Sequence, residues 1–424
     1  MRRSKLKDPE PATGQNPNVK APRKGAILGL VFVSHAMNHV QSSAFNVFYP
    51  LFREEFGIGY AAIGLLSTIN QLVGSLLQAI YGFLTNFVGR GVLLGIGNIV
   101  ISLAAAGMGF SMTYAQLITW AAIRSAGASP QHPVGAATLA SHYETKRAQV
   151  LGLHQSAGNI GGWVAPLLAS ALLLVWDNNW RQILWVIAIP SFVMGIAYFG
   201  FRELMVPAAS KVTGEKRRGR ALLSLADYGA AMKNRNILFL TLAMLAGAAG
   251  RGTNVLSTYL TTFLVDKYYM DASRAGLFFA AMMFGGIIGP MGVGWLADRL
   301  THKFVAQATL FAAAVLNFTV VFYPSASWLL LFHLVLAGAF MWARGPLIET
   351  LFTEATDKAT LDTLLSIYYT VAFISGPIWT LLTGLVTDRF GFTVAFGLMA
   401  ASYLIGMIPL AFVKFGPSKK ELRA

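Results

Sequence analysis

A helix that crosses a bilayer needs about 20 consecutive apolar residues. This 424-residue chain supplies twelve such runs, at 27–51, 60–84, 91–112, 115–140, 148–175, 182–202, 236–265, 273–297, 304–323, 327–352, 362–386 and 393–414. Hydrocarbon offers a peptide group no hydrogen-bond partner, so a lipid-exposed run of this length must satisfy its backbone internally, as a helix does. The fold class that follows is an all-α membrane protein with 12 transmembrane helices. Only 12 % of the residues are charged, against about 25 % in a soluble domain. The order is a basic tail (1–25), six runs (26–202), a basic linker (203–235), six more runs (236–414) and a second tail (415–424). With Pro9, Pro11, Pro17 and Pro22, the first tail reads as disordered. There is no cysteine, which removes disulfides and thiolate chemistry.

The net charge of +15 could point to nucleic acid, but its distribution argues against that. With both termini on one side, and residues at the run ends counted with the loops, 25 of the 33 Lys and Arg fall on that side, five on the other, and three in the interior of apolar runs. Such asymmetry marks the cytoplasmic side, and anionic lipid heads account for the basic clusters. A multi-pass protein of a bacterial or archaeal inner (plasma) membrane is expected, monomeric, with both termini cytoplasmic and no nucleic-acid partner.

Two loops repeat across the halves. Gly82-Phe-Leu-Thr-Asn-Phe-Val-Gly-Arg90 separates runs two and three, and Gly294-Trp-Leu-Ala-Asp-Arg-Leu-Thr-His-Lys303 separates runs eight and nine, 212 positions later. Gly82 and Gly89 permit tight turns, and Arg90 sits at the membrane surface. The pattern resembles the Gly-x-Leu-Ala-Asp-Arg-x-Gly-Arg-Lys signature of the major facilitator superfamily, which that family carries between helices two and three. Asn86 replaces the expected acid in the first copy, whereas Asp298 and Arg299 match the second. The resemblance implies two pseudo-symmetric six-helix bundles, a midplane site between them lined by helices 1, 4, 7 and 10, and transport by rocking one bundle against the other. Gly82, Gly89, Arg90, Gly294, Asp298 and Arg299 then form the gating motif. The segments from Gly127 to Pro133 and from Gln155 to Asn159 are similar to the fosmidomycin-resistance branch. The arginine-glycine-proline pattern after Arg124 also resembles the anion:cation symporter branch.

Polar residues inside the runs are the candidate site. His35, Asn38, His39 and Ser42 recur at i, i+3, i+4 and i+7, one face of the first helix. Interhelical hydrogen bonds would account for such a face. Lining a wet cavity is the sharper reading, since four polar groups turned to lipid are costly. An i, i+4 histidine pair can also hold a metal, but the spacing supplies neither a glutamate nor a third ligand nearby. No metal and no cofactor is therefore expected. The seventh run repeats the first, with Arg251, Asn254 and Thr258 on one face and Arg251 as the counterpart of His39. Arg124, Gln131, Gln155, Arg344, Tyr368 and Tyr369 complete the substrate-binding set. His39, His35 and His132 are the candidates for proton coupling, because no aspartate or glutamate lies deep in a run.

Three intramembrane arginines, Arg124, Arg251 and Arg344, stand against one carboxylate inside a run rather than at its first or last residue, Glu349. Arginine grips a carboxylate or phosphonate through a planar two-point fork, so a small organic anion is the expected substrate. Efflux of amphipathic drugs or antibiotics is the alternative. Nothing resembles a nucleotide-binding loop, and no catalytic constellation appears at membrane depth. A gradient-driven transporter is thus expected, with an enzyme or a transporter-like sensor as remote alternatives. The charge asymmetry yields a first test. In this cysteine-free chain, Glu215→Cys should react with an impermeant thiol reagent only after cells are permeabilised; labelling from outside would overturn the topology.

Overall fold

The computed structural model describes residues 24–206, 229, 232–247, 255–355 and 361–414, with the backbone alone over 361–373. Both tails, most of the linker, and Arg251 and Asn254 lie outside the described residues. Every described element is helical. The first half consists of α1 (Lys24–Phe56), α2 (Tyr60–Leu84), α3 (Arg90–Gly109), α4 (Tyr114–Ala128), α5 (Ala136–His142), α6 (Arg147–Val175) and α7 (Trp180–Gly200). The second consists of α8 (Arg235–Ala246), α9 (Val255–Tyr268), α10 (Ala272–Arg299), α11 (His302–Thr319), α12 (Trp328–Glu354) and α13 (Leu361–Phe412).

The expected runs map onto these helices with two departures. The fourth run is α4 and α5 joined by a π turn, Gln131–Gly135. Pro133 has no N–H to give the ladder, and a widened turn absorbs the loss. Of the seventh run, α8 and α9 are described, and 248–254 lies outside the described residues. The last two runs are continuous, and the chain reverses at Gly391, whose φ of 78° favours glycine.

Packing repeats across the halves. In the first, α1 lies along α6, α3 along α7 and α2 along α4; in the second, α8 lies along α13, α11 along α13 and α10 along α12. The halves meet through two equivalent pairs, α2 with α13 and α6 with α10. Exchanging the halves turns one pair into the other, as a two-fold axis requires. These are the two pseudo-symmetric bundles that the repeated loops imply.

Between membrane helices, attraction comes from close packing rather than from expelled water, which favours small residues at crossings. The α10–α12 crossing is the tightest case. A Cβ on Gly285 would strike the Val335 carbonyl, and one on Gly338 would strike the Met282 carbonyl. Both obstacles are backbone and cannot swing aside. A large apolar core runs through both halves, from Phe48 and Phe52 of α1 to Phe263 of α9 and Phe396 of α13. The start of α1 belongs to a separate, smaller cluster within the first half, with Ile27, Val31, Leu94 and Tyr198. Gly338→Val should therefore destabilise the protein by about 1–3 kcal/mol, the usual cost of overpacking. Gly345→Ala, with open space around its Cα, is the control. Equal melting temperatures in detergent for both variants would contradict the close crossing.

Candidate functional site

Four imidazoles gather where α1, the π turn and α6 meet. His35 and His39 share a face of α1 one turn apart, and their ring centroids lie 4.8 Å from each other. The π turn carries His132 to the same place, 4.8 Å from His35 and 5.6 Å from His39. His154 of α6 stacks on His35 at 3.9 Å. His35 Nδ1 lies 2.7 Å from the His154 carbonyl and donates to it, because a carbonyl only accepts. The spacing argument that left the α1 pair without a third ligand is overturned. Ligand nitrogens of His35, His39 and His132 all lie within 4.8 Å of one another.

The other α1 residues divide between structure and cavity. His35 is fully buried, and Asn38 donates 3.2 Å to the Ala128 carbonyl. His39 and Ser42 are half-buried. Gln131 is a tie between helices: its Nε2 reaches the Val31 carbonyl at 3.2 Å, and its Oε1 lies 3.0 Å from Ser34 Oγ. Gln155 is exposed and lies 3.5 Å from Asn159 on the next turn of α6.

Arg124 lies deeper along α4 and is 2 % exposed. Its Nη2 donates 3.0 Å to Asn70 Oδ1 of α2, and its guanidinium stands 4.8 Å from the Phe45 ring of α1. Its Nε and Nη1 have no hydrogen-bond partner, and no carboxylate pairs with it among the described residues. Close by, Ser67 of α2 meets Thr258 of α9 at 3.1 Å, so the second half borders this region. Arg344 lies elsewhere, packed inside the second bundle with Nη2 3.9 Å from Met244 Sδ. It also abuts Gly247 of the seventh run, where an added Cβ would come within 2.9 Å of Nη1. Tyr368 and Tyr369 sit on α13, at positions where only the backbone is described.

Of the gating motif, Gly82 lies in the last turns of α2 and Gly89 caps the start of α3. Arg90 donates to the Ala137 carbonyl at 3.0 Å and to Ser141 Oγ at 2.8 Å, both in α5. Gly294 and Arg299 are on α10, and the Arg299 guanidinium covers the Trp295 ring at 3.8 Å. Asp298 is 3.6 Å from His302, which is 2.8 Å from Glu354 of α12. Each of these contacts stays within its own half.

The halves are fastened at the opposite end, where α1 finishes. Arg53 of α1 pairs with Asp266 of α9 at 2.6 Å, and the Tyr60 hydroxyl bonds to the same carboxylate. Asp388 of α13 accepts from the backbone N–H groups of Tyr60 and Ala61, each at 2.8 Å. It thus caps α2 from across the interface, satisfying donors that a helix start leaves free. A pocket of about 460 Å³ opens beside the clasp, lined by Arg53, Glu54, Asp266 and Asp271.

A model of the Major Facilitator Superfamily matches residues 31–326 and 293–424. The chain belongs to the major facilitator superfamily. It is thereby an integral membrane protein and a transporter. The fosmidomycin resistance protein of Escherichia coli (strain K12) is 22 % identical, over 95 % of this chain and 96 % of its own. The cis,cis-muconate transport protein of Acinetobacter baylyi is 23 % identical, over 91 % of this chain and 90 % of its own. Among solved structures, a bacterial homolog of the human lysosomal transporter Spinster superposes with a TM-score of 0.76 at 15 % identity, covering 93 % of this chain and 97 % of that one.

Sequence reasoning missed His154 and the Asp266–Tyr60–Asp388 clasp. Asp388 reads as part of an ordinary helix-end turn, and only the fold shows it bonded to the other half. The available signal was scarcity: five basic residues are assigned to that side, so an acid facing one of them is informative. Asp388→Ala should cost the closed clasp about 1–2 kcal/mol, the size of a lost helix cap. Spin labels at positions 54 and 269 should then report more of the open distance than in the unsubstituted protein. An unchanged distance distribution would show that the cap carries no weight.

Proposed function

We propose that the protein is a secondary transporter that moves a small organic anion by alternating access, with Arg124 holding the anion. The observation that carries this reading is the state of Arg124: buried, bonded once to a neutral amide, and unpaired by any carboxylate among the described residues. A charge held at membrane depth costs at least about 3 kcal/mol by insertion scales. An arriving carboxylate offsets that cost by accepting from the free edge of the guanidinium. Relatives support the same class: besides the muconate protein, a probable L-galactonate transporter of Escherichia coli is 25 % identical over 64 % of this chain.

The resting conformation has its clasp on the side away from the termini. With both termini cytoplasmic, that side is external and the protein rests inward-facing. In this conformation Arg90 holds α5 and Asp298 lies beside His302. Arg251, the sequence counterpart of His39 in the second half, is the candidate for a second cation. A second reading, export of an antibiotic, rests on the likeness to the fosmidomycin resistance protein along nearly the whole chain.

Counterflow in proteoliposomes tests the anion reading, with labelled cis,cis-muconate and a panel of carboxylates, sulfonates and cationic dyes. Muconate or another carboxylate should exchange. Arg124→Lys, which keeps the charge but loses the planar fork, should weaken binding by about 1–3 kcal/mol. Arg124→Ala and Arg251→Ala should abolish exchange while remaining monodisperse. Normal exchange by Arg124→Ala, or exchange of cationic dyes alone, would sink the proposal.

A further inference from the structure

We propose that His35, His39 and His132 form a binding site for a divalent transition-metal ion of the zinc class. The donor atoms are already gathered, with ligand nitrogens within 4.8 Å of one another. Zinc–nitrogen bonds of about 2.0–2.1 Å place tetrahedral donors roughly 3.4 Å apart. Small side-chain rotations close that difference.

The hydrogen bonding prepares one ligand for the ion. His35 spends its Nδ1–H on the His154 carbonyl at 2.7 Å, which leaves the lone pair on Nε2. That nitrogen is buried and has no hydrogen-bond partner. Metal-binding histidines are commonly held this way, the far N–H donated to a carbonyl and the near lone pair turned to the ion. The surroundings also leave room. A Cβ on Gly158 of α6 would stand 3.0 Å from His39 Nε2 and 3.1 Å from His35 Cε1. His154, stacked on His35, is a positioning residue that holds the ring through its own carbonyl.

The donor set determines what would bind. Neutral imidazoles suit zinc, copper and nickel, whereas magnesium and calcium take oxygen ligands. Three protein ligands leave a tetrahedral ion one open position, as in zinc sites that engage a small molecule. His35 is fully buried while His39 and His132 are half-buried, so the open position lies on the side of the latter two. The inference goes beyond the anion reading and does not depend on it, because metal binding is measured without transport.

The full chain, purified without a polyhistidine tag and stripped by a chelator, is titrated with Co²⁺. Tetrahedral, nitrogen-ligated Co²⁺ absorbs far more strongly in the visible than the octahedral aqueous ion. One equivalent should produce these bands, and Zn²⁺ should remove them. His35→Ala, His39→Ala and His132→Ala should each weaken binding by at least the roughly 10–100-fold that losing an outer-sphere partner costs. His302→Gln, which alters the separate group with Asp298 and Glu354, should leave the bands unchanged. Size-exclusion profiles establish that each variant is folded, and the half-buried His132→Asn carries the test if His35→Ala is not. The proposal is overturned if no tetrahedral bands appear, if folded His39 and His132 variants bind as tightly as the parent, or if only His302→Gln abolishes them.

Discussion

Hydrocarbon cannot hydrogen-bond a peptide group, and that one constraint organises this protein. Wherever the chain meets lipid it must be helical. Irregular backbone survives only where protein or water surrounds it. The π turn at Gln131–Gly135 obeys this rule: Gln131 is buried and bonded to α1, and Ser129 just before it bonds to α2. The irregularity in turn creates the chemistry. The widened turn brings His132 to the α1 histidines, whose spacing along their own helix could supply only two of the three rings.

The two halves are held both by packed helix pairs and by polar contacts at one end. In the packed pairs, a Cβ on Gly384 would stand 2.6 Å from the Tyr60 carbonyl, and Thr68 donates to the Pro377 carbonyl at 2.8 Å. Within each bundle, crossings such as α10 on α12 bring backbone against backbone, and one methyl group would spoil the fit. Between bundles, the clasp relies on partly exposed groups: Arg53 and Asp266 side chains are 22 % and 35 % accessible. Exposed ion pairs contribute about 0–1 kcal/mol each. The Asp388 carboxylate serves α2 as a cap would, accepting from two N–H groups across the seam.

Polar groups in the interior follow a different logic. Ser34, Gln131 and Asn98 meet in one cluster, and Gln41 reaches Ile187 and Ser191. These ties hold α1 to its neighbours. Arg124 and the histidines keep unused hydrogen-bonding capacity. Gln41 Oε1 and the Tyr198 hydroxyl also lack a partner, so unmet capacity alone does not mark a site. Arg124 is set apart because its unmet donors carry a buried charge, which is the costliest kind to leave so.

Hydropathy alone determined the class, the twelve spans and nearly all their boundaries, because the length and apolarity that lipid demands are properties of the residues themselves. The repeated loops, Gly82 to Arg90 and Gly294 to Lys303, disclosed the duplication for the same local reason. Periodicity also placed His35 and His39 on one face, since the helix repeat is a local rule. It could not place His132 beside them, because a π turn around Pro133 breaks that repeat. His154 was out of reach for another reason: it arrives from a different helix, and only packing decides which helices touch. Nor could it set Asp388 on the start of α2, some three hundred residues away in the chain, or distinguish the packed Arg344 from the unpaired Arg124. Those outcomes depend on which backbones glycine lets come close and which half faces which, and only the folded chain decides that.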